Sequence, residues 1–168
     1  MSEPTQAPVQ LPAGVSMPHD LLAAFWEYER ALMANALEAL DRLFAPGPDT
    51  LRGDAAGLLR GHNTISAFRM GRGGSPARTI AEVHVRPLGD DVAVIVAVTA
   101  PATGGHGQQT QVWRRLDTGW AVEVAHVSLP APAINKSIWR TVGSPLVAGT
   151  NHTAHDAHPA HHGDLPLD

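Results

Sequence analysis

Residues 77–129 read ARTIAEVHVRPLGDDVAVIVAVTAPATGGHGQQTQVWRRLDTGWAVEVAHVSL, and this stretch decides the fold. Apolar and β-branched side chains return at every second position, the period of a strand with one buried face. The pattern predicts four strands, over 77–86, 92–102, 108–116 and 120–129. The segments between them, Leu88-Gly89-Asp90-Asp91, Thr103-Gly104-Gly105-His106-Gly107 and Asp117-Thr118-Gly119, have the composition of hairpin turns.

Upstream of Ala77 the period lengthens to about 3.6. Leu21, Phe25, Tyr28 and Leu32 are spaced i, i+4, i+7, i+11, which predicts an amphipathic helix with Asp20 at its N-cap. Leu37, Leu40, Leu43 and Phe44 resume the pattern after Asn35, implying a bend or a second helix, and Ala45-Pro46-Gly47-Pro48 ends it. Residues 49–54 and 57–61 suit a small hairpin. Asn63 or Thr64 then caps a short helix through Ile65, Phe68 and Arg69, closed by Arg72-Gly73-Gly74-Ser75-Pro76. Helices first and an antiparallel meander after define an α+β fold, with the helices covering one face of a curved antiparallel sheet.

The domain is expected over 19–130, preceded by a flexible arm, 1–18, rich in Pro, Ser, Gln and Ala. Residues 131–150 carry Ile134, Ile138, Trp139, Val142 and Leu146, too apolar for a linker, and are expected to dock on the domain, a second subunit or another protein. Residues 151–168 hold His152, His155, His158, His161 and His162 and read as a disordered tail without a preorganised metal geometry.

A chain of 168 residues is one domain's worth of sequence. It has no cysteine, which excludes disulfides, thiolate metal sites and a cysteine nucleophile. No apolar run reaches the 18 or so residues of a membrane span, and no basic-then-apolar leader is visible, so a soluble cytoplasmic protein is expected. The net charge of −4 lies in the tails, because the 12 basic residues between Arg30 and Arg140 are matched by as many acids from His19 to Pro145. That balance points away from nucleic acid and from an anionic membrane. Eleven of the 12 basic residues are arginine, the better side chain for gripping a carboxylate. A high-GC genome would give the same bias.

Tyr28, the only tyrosine, lies on the apolar stripe of the first helix, so its hydroxyl must meet something polar: a backbone carbonyl in a purely structural role, or a ligand. Arg52, Arg60, Arg69, Arg72 and Arg78 crowd into 27 residues with Asp54 as the only acid among them. Two or three of these guanidinium groups converging would bind a small carboxylate, with Arg60 as first choice, and others would be solvated surface groups. In the last strand Trp120, Val122, Val124, His126 and Ser128 alternate with Ala121, Glu123, Ala125, Val127 and Leu129; the bulk of Trp120 favours the first set as inward, which would place His126 and Ser128 inside the concavity. Gln109 and Gln111 share a face with Trp113, but Thr110, Val112 and Leu116 make a rival apolar face. Phosphate loops, Rossmann glycines, His-Glu-x-x-His and Gly-x-Ser-x-Gly are all absent, and no cofactor or metal is expected.

Taken in order, Phe25-Trp26-x-Tyr28-Glu29-x-Ala31-Leu32, Leu51-Arg52-Gly53, Gly61-His62, Ala67-Phe68-Arg69-x-x-Arg72, Ala77-Arg78-Thr79, Gln109-x-Gln111-x-Trp113, Gly119-Trp120 and Ala125-His126-Val127-Ser128 form a pattern. Residues 19–130 resemble the small bacterial proteins of cyanuric acid and oxalurate catabolism, in the nuclear-transport-factor-two-like (SnoaL-like) superfamily, which are encoded beside an amidase. The resemblance implies a cone-shaped α+β fold with an internal pocket, usually a homodimer. It further implies a decarboxylating amidohydrolase that turns urea-1,3-dicarboxylate into allophanate and carbon dioxide. Tyr28 and Arg52 match the family's catalytic pair; Arg69, Arg72, Gln109, Gln111, His126 and Ser128 match positions expected to bind substrate. The expected partners are a small anionic ureido or carboxylate substrate, a second copy and an amidase. A non-catalytic ligand-binding domain or an accessory subunit of the amidase is the alternative.

Overall fold

The first helix, α1 (Leu21–Met33), sets its stripe against the sheet as the spacing requires: Leu21, Phe25 and Tyr28 are buried, and Leu32 is half-buried. The computed structural model describes residues 7–129, so the extension at 131–150 and the tail at 151–168 lie outside the described residues. Asp20 occupies the N-cap position but its carboxylate accepts no capping hydrogen bond and instead meets His19. The helix ends in a Schellman arrangement. Asn35 takes a left-handed φ of 51°, its N–H reaches the Leu32 carbonyl, and the Ala36 N–H reaches that of Ala31. This turns the chain into α2 (Leu37–Arg42).

The hairpin β2 (Leu51–Asp54) and β3 (Gly57–Arg60) follows, then α3 (His62–Arg72). Neither Asn63 nor Thr64 caps α3. Gly61 sits at its N-cap, held by N–H bonds from Gly61 to Thr50 and from His62 to Gly47. The meander is β4 (Arg78–Pro87), β5 (Val92–Pro101), β6 (Gly107–Leu116) and β7 (Gly119–Ser128), within a residue or so of the expected bounds.

The sheet is mixed rather than purely antiparallel. Its seven strands run β1-β4-β5-β6-β7-β2-β3, with β2 parallel to β7 and β1 (Val9–Gln10) parallel to β4. Residues 7–18 therefore depart from the loose arm expected of them: Val9 and Gln10 pair with Val83 and His84, and Ala7, Leu11 and Met17 pack against the core.

The register explains which side chains face the helices. Arg52, Ala125, Gln111, Ile95 and Val85 are neighbours across five strands, and all five are buried. A second buried row contains Gln109, Ala97 and Val83. At Glu123 the β6–β7 pairing slips, since Val112 opposes Val124 whereas Trp113 opposes Val122. This extra residue is a β-bulge, and it reverses the alternation beyond it. Trp120 and Val122 point inward before it and Ala125 after it, while His126 and Ser128 turn outward and are exposed. The inward placement expected for His126 and Ser128 is thus overturned by one bulged residue, whose carboxylate pairs with Arg114.

Face assignment has a direct test. Ile95→Ala, on the helix-covered face, should cost about 2–5 kcal/mol of stability, as large-to-small core changes do. Thr110→Ala, on the exposed face of the next strand, should cost under about 0.5 kcal/mol. Urea unfolding of both variants reads the difference, and equal losses would refute the assignment.

Candidate functional site

The site lies between the helices and the concave face of the sheet, and Tyr28 is its centre. Its ring is walled by Phe44 and Trp113, with centroids 6.1 Å away in both cases and Trp113 edge-on. Among the described residues no group hydrogen-bonds the Tyr28 hydroxyl, so the backbone carbonyl of a structural tyrosine is not supplied. Charge surrounds it instead: the next residue, Glu29, and the guanidinium groups of Arg69, Arg78 and Arg52 all act on the phenol.

These charges compete. Burial and the negative charge of Glu29 push the phenol pKa upward, Arg69, Arg78 and Arg52 pull it down, and the net direction is up. Arg52 is the weakest of the three. Arg52 alone would lower the phenol pKa, but burial in a low-dielectric site disfavours the phenolate by more than the arginines favour it. At neutral pH Tyr28 is a protonated acid.

Each arginine is placed by a different element. Arg52, on β2, donates to Asp54 at 2.9 Å and lies over the Phe68 ring, 4.7 Å from its centroid. Arg69, on α3, lies 3.9 Å over Phe44, donates to the Leu40 carbonyl at 3.3 Å and faces Asp41 at 3.6 Å. Arg72, one turn after Phe68, stands 5.7 Å from that same ring and is tied to the Gly74 carbonyl and the Ser75 hydroxyl. Among the described residues Arg72 is the member without a carboxylate partner. Arg72 is exposed at the end of α3, yet partial desolvation first, and then repulsion from Arg52, lower its pKa against the pull of Asp54; burial leads for Arg69, with Arg52 and Arg72 adding to it. Arg52, Arg69 and Arg72 thus repel one another, and such an arrangement can accept an anion.

Arg78 belongs to a separate buried network. It donates to both Glu29 oxygens at 3.2 and 3.0 Å and to Gln109 Oε1 at 2.9 Å, and Gln109 donates back to Glu29. Sequence reasoning had Arg78 as one arginine among five and passed over Glu29. Its signal was a lone acid beside the buried stripe of an amphipathic helix. Gln109 is inward, as is Gln111, but their states differ. Gln111 accepts from Trp113 Nε1 at 3.1 Å, and since the indole can only donate, the amide orientation is fixed. That leaves Gln111 Nε2 buried and unpaired among the described residues. Gln109 is occupied, whereas Gln111 holds a donor in reserve.

The structure therefore gathers Tyr28, Arg52, Arg69, Arg72, Gln109 and Gln111 on one side of the sheet and puts His126 and Ser128 on the other. Arg60, first choice for anion binding, is also misplaced. It pairs with Leu51 in the β2–β3 hairpin, one residue out of step with Arg52, and lines a shallow depression with Pro48, His62 and Asn63. Among the described residues no group of three His, Asp or Glu side chains is placed to hold a metal ion, and no helix is long and apolar enough to cross a membrane.

Helices on a curved, open mixed sheet with a polar site beneath them define the nuclear-transport-factor-two-like cone fold. A protein of that superfamily from Salmonella enterica serovar Typhimurium superposes with a TM-score of 0.56 at 21% identity, over 70% of this chain and 94% of that one. Within the fold, the chain belongs to the AtzH-like family, which it matches over residues 13–132. Two solved structures are closer in sequence. A protein of unknown function from Pectobacterium atrosepticum is 34% identical over 67% of this chain and 89% of that one. A cystatin-like fold protein from Burkholderia xenovorans is 36% identical over 67% and 91%, and each gives a TM-score of 0.63. Comparison with curated proteins gives no match.

The direction of the Tyr28 shift can be measured without a substrate, because the chain has one tyrosine. Phenolate absorbance should titrate above pH 10 in the folded protein and near pH 10 in denaturant. The sign for stability follows. Below the unfolded pKa both states hold the proton and folding is unaffected. Above it the unfolded chain loses the proton first, so stability falls as pH rises toward the folded pKa. A folded midpoint below 10 would refute this account.

Proposed function

We propose that the protein is a decarboxylating amidohydrolase that converts urea-1,3-dicarboxylate to allophanate and carbon dioxide, or acts on a closely related N-carboxylated urea. One observation carries the reading: a buried phenol, held protonated, among guanidinium groups that lack enough carboxylates to neutralise them. Membership of the AtzH-like family supports it.

The residue types suit the reaction. The substrate is a dianion, and Arg72 with the free N–H groups of Arg52 and Arg69 would hold a carboxylate through paired donors. Gln111 Nε2 would meet the urea carbonyl. The N–C bond to one carboxylate then breaks, its electron pair stays on nitrogen, and carbon dioxide leaves. Tyr28 delivers its proton to that nitrogen, giving the allophanate monoanion, and the transient phenolate is stabilised by the same arginines until water reprotonates it. One proton is consumed, and the charge falls from −2 to −1. A phenol that was already ionised could not perform this step, so the raised pKa is the useful direction.

The test compares turnover and thermal midpoint. Tyr28→Phe keeps the ring between Phe44 and Trp113 and removes only the proton donor; it should cost about 10²–10⁴-fold in kcat with the midpoint unchanged. Arg52→Lys keeps the charge but loses the planar fork, and should also cost turnover at constant midpoint. A parent protein that releases no carbon dioxide from urea-1,3-dicarboxylate would refute the enzyme and leave a ligand-binding domain.

A further inference from the structure

We infer that Phe68 is a positioning residue for anion binding, holding Arg52 and Arg72 by their faces so that their N–H edges stay free for a carboxylate. The inference rests on the proposed anion site and concerns how that site is kept positively charged.

Arginine has five N–H donors in one plane, and a carboxylate partner both occupies donors and cancels charge. An aromatic ring under the plane does neither. It attracts the cation through its quadrupole and restricts the guanidinium to the plane of the ring face. Phe68 reaches both arginines: Arg52 at 4.7 Å and Arg72 at 5.7 Å from its centroid. Those two come from different elements, β2 and α3, and they repel one another. Asp54 also attracts both, bonded to Arg52 and acting on Arg72 without a bond, whereas Phe68 attracts them without occupying a donor. A carboxylate in that position would bind both arginines and displace the substrate. Phe44 does the same for Arg69 at 3.9 Å, but it is fully buried and its loss would confound binding with folding. Phe68 is only half-buried, so it can be changed with the core intact.

The donors left over are countable. Arg52 uses Nη1 on Asp54, and Arg72 uses Nε and Nη2 on the Gly74–Ser75 loop. Arg52 Nε and Nη2 and Arg72 Nη1 are then available, enough for one bidentate and one single bond to a carboxylate.

The experiment measures binding of malonate, an unreactive dicarboxylate, by calorimetry, for the parent, Phe68→Leu and Phe68→Trp. Steady-state kinetics with urea-1,3-dicarboxylate run alongside. The expected result is about tenfold weaker malonate binding in Phe68→Leu, a matching rise in KM with kcat changed less than about threefold, and recovery to within about twofold of the parent in Phe68→Trp. Thermal midpoints should stay close to the parent's. A residue that only fills space would give the reverse, a lowered midpoint in Phe68→Leu with malonate affinity unchanged. If the parent binds malonate but turns nothing over, the enzyme reading fails, while the malonate comparison still decides the role of Phe68. Equal malonate affinity in the parent and Phe68→Leu, or none in the parent, overturns the inference.

Discussion

The ion pair between Glu29 and Arg78 fixes where everything else in the site can be. It joins α1 to the start of β4, residues 49 positions apart in the chain, and Gln109 on β6 completes it. Both charges are nearly removed from water, with side chains 8% and 11% exposed, so neither can lose its partner cheaply. Removing one member of such a pair costs about 3–5 kcal/mol, because the other is left buried and uncompensated. Apolar packing alone would let α1 slide or rotate over a smooth sheet. A buried carboxylate that must meet one guanidinium admits a single placement, and Tyr28, the residue before Glu29, is placed with it. Burial leads in raising the Tyr28 pKa, and the same carboxylate adds to it, so Glu29 both helps place the phenol and helps keep it protonated.

Charge is distributed across the site in two different ways. Arg78 is paired with Glu29 and Gln109 through Nη2 alone, while its Nε is buried without a partner among the described residues. Arg52, Arg69 and Arg72 lie on aromatic faces, and only the first two meet a carboxylate. The distinction decides which arginines can serve a substrate. A carboxylate partner cancels an arginine's charge, as Glu29 does for Arg78, whereas the neutral acceptors and the ring around Arg72 leave its charge in place.

The helices, the hairpin and the four long strands were legible because their signals are local: apolar period, turn composition and proline. What sequence reading lost was non-local or single-residue. The parallel pairings β2–β7 and β1–β4 carry no turn signal, since their partners are far apart in the chain. The bulge at Glu123 leaves a strand that alternates without interruption on paper, yet it reverses His126 and Ser128. Tyr28, Arg52, Arg69, Arg72, Gln109 and Gln111 lie on one side of the sheet, whereas periodicity alone left Gln109 and Gln111 undecided between faces.

The two faces of the sheet differ in the size of their side chains. β5 turns Ala93, Ile95 and Ala97 toward the helices and Val92, Val94, Val96 and Val98 away from them, so its smaller residues lie on the functional face. Ala125 does the same on β7, standing between Arg52 and Gln111 in the register. A core built for stability alone would put branched residues there, since each added buried methylene contributes about 0.8 kcal/mol. The alanines give up that contribution, and the volume goes to Trp113, Gln109, Gln111 and Arg52, all large and all polar at one end. Their polar ends must then be satisfied inside the protein. Gln109 is satisfied by Glu29 and Arg78, whereas Gln111 Nε2 is not. An unpaired buried donor costs about 1–3 kcal/mol, which an acceptor bound beside it would return. The alternation of alanine and valine along one strand thus lets large side chains with polar ends pack on the helix-covered face, with Gln111 Nε2 left as an unpaired donor among the described residues.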